Sequence, residues 1–156
     1  MKKHLALTGF MGSGKTTIGR EMAQKSGKPF IDLDAYIEQQ EGKTIVEIFE
    51  NYGEQKFREI ESFYLKQVLA LQDDTIIALG GGTICNEENL NLVLSNAWLI
   101  TIMPSVDVLV ERLWNERYKR PLIKNISTKE ALKIFIEQKL SERMPYYEKA
   151  DWIVRF

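Results

Sequence analysis

The chain has 156 residues and a formal net charge of −1, with 44% hydrophobic and 28% charged residues. This length predicts one domain with a substantial core, and the near-neutral charge excludes a broad basic surface for nucleic acid or anionic membrane. A single cysteine, Cys85, excludes an internal disulfide and a cysteine-rich metal site. No apolar stretch approaches the ~20 residues of a membrane span. From the single cysteine and the near-neutral charge we expect a cytoplasmic protein without nucleic-acid or membrane partners, and because no apolar stripe demands a partner, a monomer is the default.

Strand-like and helix-like segments alternate along the chain. The predicted strands are residues 5–8, 30–31, 75–79, 97–103 and 152–154. The predicted helices are residues 16–26, 35–41, 45–52, about 54–71, about 104–114 and about 127–146. Because helices separate the strands, this pattern predicts an α/β fold with a parallel sheet covered by helices on both faces. Ligands of such folds gather at the carboxyl ends of the strands.

Residues 9–16 read Gly-Phe-Met-Gly-Ser-Gly-Lys-Thr between the first predicted strand and the first predicted helix, which is the Walker A pattern in its expected context. Its glycines let consecutive backbone N–H groups point into one concavity that suits an oligophosphate. Lys15 can reach the β- and γ-phosphates, and the Thr16 hydroxyl can bind Mg²⁺. The alternative, a glycine-rich turn with an incidental lysine, is disfavoured because every fixed position of the motif is filled.

Two carboxylates follow the second predicted strand. Asp32 and Asp34 alternate along extended chain, so their side chains are expected to project to the same side. One of them can hold a metal ion or its waters while the other accepts a proton from a substrate hydroxyl, as phosphoryl transfer requires. The alternative is that Asp34 only caps the helix predicted to begin at Ala35.

Further candidates are weaker when each is taken alone. Residues 80–82 are three glycines after a buried strand, which indicates a close backbone approach, a special dihedral angle or a simple turn. Arg58 lies three residues before Glu61, and we expect the two to meet on the surface of the long helix. The basic segment 116–125 is either a flap that closes over phosphates or an ordinary surface loop. Arg143 alone is typical of a surface residue, and the only histidine is assigned no catalytic role.

Taken together, these motifs resemble shikimate kinase over nearly the whole chain. The motifs that carry the likeness are the Walker loop, Asp32-Leu33-Asp34, Gly53-Glu54 with Phe57-Arg58, the triple glycine, Arg120-Pro121-Leu122, and Arg143 with Tyr147. The resemblance implies a three-layer α/β/α domain over residues 1–156, with a five-stranded parallel sheet of the P-loop kinase type in the order 2-3-1-4-5. It also implies an acceptor-binding helical segment at about 33–61 and a lid at about 113–126. The implied activity is Mg²⁺-dependent transfer of the ATP γ-phosphate to the 3-hydroxyl of shikimate, on the route to aromatic amino acids.

The resemblance also implies a role for each matching residue. Catalysis is expected from Lys15, Asp34 and Arg120. The expected ATP-binding residues are Gly12, Ser13, Gly14, Lys15, Thr16, Thr17, Arg112 and Arg120. The expected shikimate-binding residues are Asp34, Arg58, Gly80, Gly81, Gly82 and Arg143, and the expected Mg²⁺-binding residues are Thr16 and Asp32. In this scheme the two acceptor-site arginines clamp the substrate carboxylate, the glycines press backbone against the ring, and Arg112 lies along the adenine.

Some alternatives remain open at this stage. In the family the last strand usually leads into an aspartate-containing loop and a final helix, whereas residues 154–156 read Val-Arg-Phe, so part of the adenine wall is expected to be absent or built differently. Arg117 is a second candidate for the lid arginine, although the adjoining Pro121 favours Arg120. The rival functions are a related small-metabolite kinase, such as a gluconate kinase, and a kinase-like protein that binds nucleotide without turnover.

Overall fold

The computed structural model describes residues 2–156, whose strands form one five-stranded sheet in the order β2-β3-β1-β4-β5. All four strand pairings are parallel. The strands are β1 (His4–Thr8), β2 (Phe30–Asp32), β3 (Ile76–Ala78), β4 (Ala97–Met103) and β5 (Trp152–Arg155). The predicted α/β class and strand order are therefore confirmed.

Six α-helices flank the sheet in the part of the chain described. They are α1 (Lys15–Ser26), α2 (Leu33–Glu41), α3 (Ile45–Leu69), α4 (Glu87–Asn96), α5 (Val106–Glu116) and α6 (Lys129–Tyr147). A short 3₁₀ helix, Arg117–Lys119, follows α5. Among these helices none has the length and apolar character needed to cross a bilayer.

The helices differ from the sequence-based expectations mainly in three respects. The helices predicted at 45–52 and about 54–71 meet in α3 at Gly53, whose φ of 84° and ψ of 172° interrupt the helical geometry without ending the element. The α2 helix begins at Leu33, two residues earlier than expected, because Asp32 caps it. The α4 helix was not predicted. It begins after Asn86, whose side chain accepts a hydrogen bond from the Asn89 backbone N–H.

The centre of the sheet is largely buried, as the apolar sequences of its strands predict. Every residue of β3 is buried, while β5, at the edge of the sheet, is largely exposed. The single histidine, His4, lies buried at the start of β1. Its Nδ1 accepts a hydrogen bond from the Thr75 backbone N–H at 3.0 Å, so its Nε2 donates to the Leu69 carbonyl oxygen, also at 3.0 Å. His4 therefore joins chain segments and is far along β1 from the Walker loop.

The strand register brings the candidate residues to one edge of the sheet. On the central strand β1, Leu7 pairs with Ala78 of β3, and Ala78 in turn pairs with Asp32 of β2. The Walker loop, the paired aspartates and the triple glycine therefore leave three neighbouring strands at the same level. This is the carboxyl edge, where a parallel sheet places its ligands.

Candidate active site

The Walker loop connects β1 to α1 through three glycines with positive φ. Gly9, Gly12 and Gly14 have φ values of 150°, 78° and 96°. The loop is also tightly packed, because a Cβ atom at Gly9 would lie 2.4 Å from the carbonyl oxygen of Ile102. Gly14 is the N-cap of α1 and no side chain caps that helix, so the N–H groups of its first turn stay available to an anion.

Lys15 reaches back across the loop. Its Nζ donates hydrogen bonds to the carbonyl oxygens of Gly9 at 2.9 Å and Phe10 at 3.4 Å. Removal of the ammonium from water lowers the pKa of Lys15 to about 8, and the nearby charges of Asp34 and Asp32 oppose this shift. Lys15 therefore still carries its charge at pH 7 and holds it beside the loop.

Asp32 joins the Walker helix to α2. Its Oδ2 accepts a hydrogen bond from the Thr16 hydroxyl at 2.9 Å, and its Oδ1 accepts one from the Ala35 backbone N–H at 3.1 Å. Asp32, not Asp34, is thus the cap of α2, and the capping alternative for Asp34 is wrong. The reason is that α2 begins at Leu33, directly after the last residue of β2, so Asp34 already lies in the first turn of the helix.

The Thr16 and Asp32 oxygens fit a magnesium ion in their chemistry. Mg²⁺ prefers oxygen ligands and commonly takes only one or two from protein, with the rest from phosphate and water. No group of three or more His, Cys, Asp or Glu side chains suited to a metal occurs within residues 2–156. A cation at this position would accordingly need most of its ligands from a bound nucleotide and water.

Asp34 has the perturbed acidity of a candidate proton acceptor. Partial burial raises the pKa of Asp34 to about 6, and the neighbouring charges of Glu61 and Asp32 raise it further, whereas Lys15 lowers it. At pH 7 this carboxylate is mostly ionised, yet its proton affinity is much higher than that of an ordinary aspartate. Groups with such acidities are typical of sites of general acid–base chemistry.

Each glycine of the triple glycine lies against a different polar side chain. A Cβ atom added at Gly80 would lie 3.0 Å from Asp34 Oδ1. One added at Gly81 would lie 3.0 Å from Arg143 Nη1, and one added at Gly82 would lie 2.8 Å from Arg58 Nη2. None of residues 80–82 has a positive φ. Close approach therefore explains the three glycines, and a special dihedral angle does not. Their predicted contact with a substrate ring stays a prediction.

The Arg58 and Glu61 pair lies in a different environment from the one expected. Arg58 Nη1 donates to Glu61 Oε1 at 2.8 Å, but Glu61 is only 1% exposed. Its second oxygen, Oε2, accepts a hydrogen bond from the Thr83 hydroxyl at 2.8 Å. The predicted pairing of Arg58 with Glu61 is therefore confirmed, but the pair is more buried than a solvated ion pair, because this face of α3 packs against the glycine turn. The buried carboxylate of Glu61 thus holds the Arg58 side chain in place at the glycine turn.

Arg143 is half-buried and belongs to the same cluster. Its guanidinium carbon lies 5.4 Å from the centre of the Phe10 ring. One turn later on α6, the Tyr147 hydroxyl donates to the Gly81 carbonyl oxygen at 2.6 Å. Burial raises the pKa of Tyr147 to about 12, so this hydroxyl remains a donor at neutral pH. The glycine turn is thereby fastened to the helix that carries Arg143.

One cavity of about 780 Å³ joins most of the candidate residues. Its predicted lining residues are Gly12, Ser13, Gly14, Lys15, Thr16, Thr17, Asp32, Asp34, Gly81, Arg112 and Arg120. The remaining predicted residues surround Asp34 and Gly81 without lining this cavity. These are Arg58, Gly80, Gly82 and Arg143. The candidate site thus has two ends that meet at Asp34: a phosphate end formed by the cavity and an acceptor end formed by the residues around the glycine turn, each named for the role expected from sequence.

The two lid arginines point to different surroundings. Arg120 lines the cavity, and its Nη2 donates to Glu116 Oε2 at 3.1 Å. Arg117 donates to the Trp114 carbonyl oxygen at 2.7 Å, and its guanidinium carbon lies 3.7 Å from the centre of the Trp114 ring. Of the two candidate lid arginines, Arg120 is therefore the one that lines the cavity.

The cavity also contains one aromatic residue, Phe156, that sequence reasoning missed. Arg112 donates to the Gly12 carbonyl oxygen at 3.0 Å, and its guanidinium carbon lies 6.0 Å from the centre of the Phe156 ring. Both side chains line the cavity. Their pairing could have been found only from the register of β5, since the two residues are far apart in sequence.

A Walker loop beside the central strand of a parallel sheet, with a charged lysine and a carboxylate of raised pKa at one cavity, defines a P-loop phosphotransferase of the kinase type. A family model described as shikimate kinase matches residues 11–155. A shikimate kinase from Parabacteroides distasonis is 40% identical over 149 residues, which cover 96% of this chain and 85% of that protein. The chain belongs to the shikimate kinase family.

Solved structures agree with this membership. The crystal structure of shikimate kinase from Bacteroides thetaiotaomicron has a TM-score of 0.91 and 37% identity, and the match covers 97% of this chain and 85% of that one. The structure of shikimate kinase from Acinetobacter baumannii in complex with shikimate has a TM-score of 0.88 and 29% identity, covering 100% of this chain and 84% of that one. Fold and family membership thus rest on agreeing sequence and structure matches.

Proposed function

We propose that this chain transfers the γ-phosphate of ATP to the 3-hydroxyl of shikimate, giving shikimate 3-phosphate and ADP. Family membership makes it an ATP-dependent kinase that phosphorylates a hydroxyl of shikimate. The observation that carries the residue assignments is the meeting of Asp34, Arg58 and Arg143 at one glycine turn, directly beside the Walker loop. These side chains supply one proton acceptor and two carboxylate-binding forks.

The phosphate end of the cavity binds ATP. Backbone N–H groups of residues 12–17 receive the phosphates at the start of α1, and Lys15 contributes a point charge. Arg120 adds a second positive charge where charge develops on the transferring group. Arg112 is placed to lie along the base. Thr16 and Asp32 would hold Mg²⁺, which when bound neutralises charge on the phosphate oxygens.

The acceptor end binds shikimate by its carboxylate. Arginine recognises a carboxylate through two parallel N–H donors, so Arg58 and Arg143 together can fix both the position and the plane of the group. The buried carboxylate of Glu61 holds Arg58, and the Phe10 ring lies against Arg143. Binding one end of a rigid ring in this way orients the hydroxyls at its other end.

Asp34 accepts the proton of the attacking hydroxyl. As the hydroxyl oxygen forms its bond to the γ-phosphorus, the bond from that phosphorus to the bridging oxygen of ADP breaks, and the hydroxyl proton passes to Asp34 Oδ. A pKa of about 6 keeps Asp34 ionised at pH 7 while making it a stronger base than an ordinary carboxylate. Lys15 lies near enough for its charge to lower that pKa, which supports a site where the base and the phosphate-binding lysine meet.

The proposed organisation is a single kinase domain. The segment of about residues 33–61 binds the acceptor, and the segment of about 113–126 closes over the phosphates. We also propose a monomeric cytoplasmic enzyme without nucleic-acid or membrane partners, supported by the near-neutral net charge and the single cysteine.

An assay of ADP release with three acceptor conditions tests the proposal. The purified chain is mixed with ATP and Mg²⁺ and then with shikimate, with gluconate or with no acceptor, and ADP is followed with coupling enzymes. We expect ADP release that depends on shikimate, with gluconate close to the background. Release stimulated by gluconate would favour a different small-metabolite kinase. Nucleotide binding without release under any condition would favour a non-catalytic protein.

A further inference from the structure

We propose that Thr83 is a positioning residue for the acceptor site. Its hydroxyl donates a hydrogen bond to one oxygen of the buried Glu61 carboxylate. Arg58 then pairs with the other oxygen only and keeps one edge of its guanidinium for the acceptor. The inference rests on the proposed function in one respect, because it assigns that free edge to the carboxylate of shikimate.

The contacts of Glu61 divide its two oxygens between two donors. Oε1 accepts from Arg58 Nη1 and Oε2 accepts from the Thr83 hydroxyl, each at 2.8 Å. Glu61 is 1% exposed, so water cannot substitute for either donor. The other terminal nitrogen of Arg58, Nη2, lies 3.8 Å from Oε1 of Glu54, whose side chain is 70% exposed. That second contact is therefore weak.

Without the Thr83 hydroxyl, the pairing of Glu61 and Arg58 would change. A carboxylate and a guanidinium prefer two parallel hydrogen bonds, and a buried oxygen left without a donor is costly. Glu61 would then turn its free oxygen toward Arg58 Nη2. That nitrogen is the atom nearest to an added Cβ at Gly82, at 2.8 Å, and so lies at the glycine turn where the acceptor binds. Bidentate pairing with Glu61 would draw it away.

Thr83 itself is held firmly enough to perform this task. It is fully buried, and its backbone N–H donates to the Gly80 carbonyl oxygen at 3.2 Å. Its own carbonyl oxygen accepts from Asn89 Nδ2 at 2.9 Å, and Asn89 Oδ1 accepts from the Ser62 hydroxyl at 2.9 Å. The glycine turn is thus tied to both α3 and α4, which fixes the direction of the Thr83 hydroxyl.

Substitution of Thr83 provides a direct test. Thr83→Val keeps the shape of the side chain and removes the hydroxyl, and Thr83→Ala removes the hydroxyl with a smaller side chain. We expect both variants to raise KM for shikimate about tenfold, with KM for ATP and kcat within about twofold of the wild type. Thr83→Ser, which restores the donor, is expected to return KM for shikimate to within about threefold of the wild type.

Thr75→Val is the matched control. Thr75 is also buried, and its hydroxyl donates to the Asp73 carbonyl oxygen at 2.9 Å, away from the glycine turn. We expect no change in KM for shikimate. The inference is overturned if Thr83→Val and Thr83→Ala keep the wild-type KM for shikimate, if Thr83→Ser is as impaired as they are, or if KM for ATP rises equally. Wild-type protein without shikimate-dependent ADP release would instead overturn the proposed function, which the same assay reports separately.

Discussion

The two ends of the candidate site are built by different means. The core of the phosphate end is one continuous stretch, residues 9–17, which offers mainly backbone N–H groups and a helix N-terminus, and Asp32, Arg112 and Arg120 add to it from elsewhere in the chain. The acceptor end gathers side chains from three helices around the turn after β3, and other side chains hold several of them in place. Consecutive backbone thus suffices to recognise a phosphate chain, whereas selection of the acceptor requires tertiary structure.

The two ends also differ in electrostatics. Loss of hydration lowers the pKa of Lys15 to about 8, and partial burial raises the pKa of Asp34 to about 6. The charge of Asp34 raises the pKa of Lys15, and the charge of Lys15 lowers the pKa of Asp34, so each group favours the charged form of the other. The phosphate end and the acceptor end are therefore coupled where they meet. Substitutions at the two ends should therefore separate nucleotide effects from acceptor effects, except at this junction.

The largest effect is expected at the phosphate end. Lys15→Met removes the charge beside the transferring phosphoryl group and should lower kcat about 10³-fold, the size typical of losing one strong transition-state donor. Steady-state kinetics with saturating shikimate measure this change. Lys25→Met, in the exposed last turn of the same helix, is the control and should keep wild-type kcat. A Lys15→Met enzyme with more than a tenth of wild-type kcat would contradict the role.

The junction is tested by Asp34→Asn, which should lower kcat about 10²-fold. Wild-type kcat/KM should fall as the pH drops through about 6, because protonated Asp34 cannot accept a proton, and Asp34→Asn should lack this decline. Folding raises this pKa from 3.8 to about 6, so ionisation of Asp34 lowers the stability of the folded state as the pH rises between these two values, and the loss is complete above about pH 6. Asp34→Asn should therefore melt at a temperature no lower than that of the wild type. Lost activity with a lower Tm would indicate a folding defect.

The acceptor end alone is tested by Arg58→Lys. Lysine keeps the charge but not the planar fork, so KM for shikimate should rise about tenfold while KM for ATP changes little. Arg20→Lys is the control, because Arg20 is an exposed arginine whose guanidinium carbon lies 5.6 Å from the centre of the Phe30 ring, away from the cavity. Equal losses for both substrates would remove the distinction between the two ends.

The smallest effect is expected at Gly82. The three atoms nearest to a Cβ there all belong to the end of the flexible Arg58 side chain, the closest at 2.8 Å, and φ is not positive. Gly82→Ala should therefore raise KM for shikimate about threefold, through displacement of Arg58 Nη2, without lowering Tm because Nη1 keeps its hydrogen bond to Glu61. Gly42→Ala gives the opposite pattern, because Gly42 has a φ of 67° with open space around it and should lose about 1 kcal/mol of stability with unchanged KM. A lower Tm for Gly82→Ala would contradict this account of the turn.

The Walker-loop part of the phosphate end could be predicted from sequence because its determinants are adjacent. Residues 9–16 contain the glycines, the lysine and the hydroxyl, and the flanking strand and helix confirm them. The strand order and the acceptor residues came instead from the resemblance of several motifs taken together. Arg58 and Arg143 by themselves are typical of solvated surface charges, and only folding brings them to one turn.

Other features could not be predicted because they depend on packing between distant segments. The burial of Glu61 follows from which face of α3 lies under the glycine turn, and the helical spacing alone does not specify that face. The α4 helix, Glu87–Asn96, was missed because asparagines and a short apolar pattern give weak helical preference, although Asn86 and two following acidic residues form a start signal. Asp32 was expected to bind metal, but its role as a helix cap required the exact start of α2.

The most direct test of the central claim compares shikimate with its methyl ester as acceptors for the wild-type enzyme. The ester keeps the ring and its hydroxyls but removes the negative charge that the two arginines are proposed to bind. We predict that kcat/KM for the ester is at least about 10²-fold lower, mainly through KM, while KM for ATP is unchanged. Equal kcat/KM for the two acceptors would show that Arg58 and Arg143 do not read the carboxylate and would contradict the proposed construction of the acceptor end.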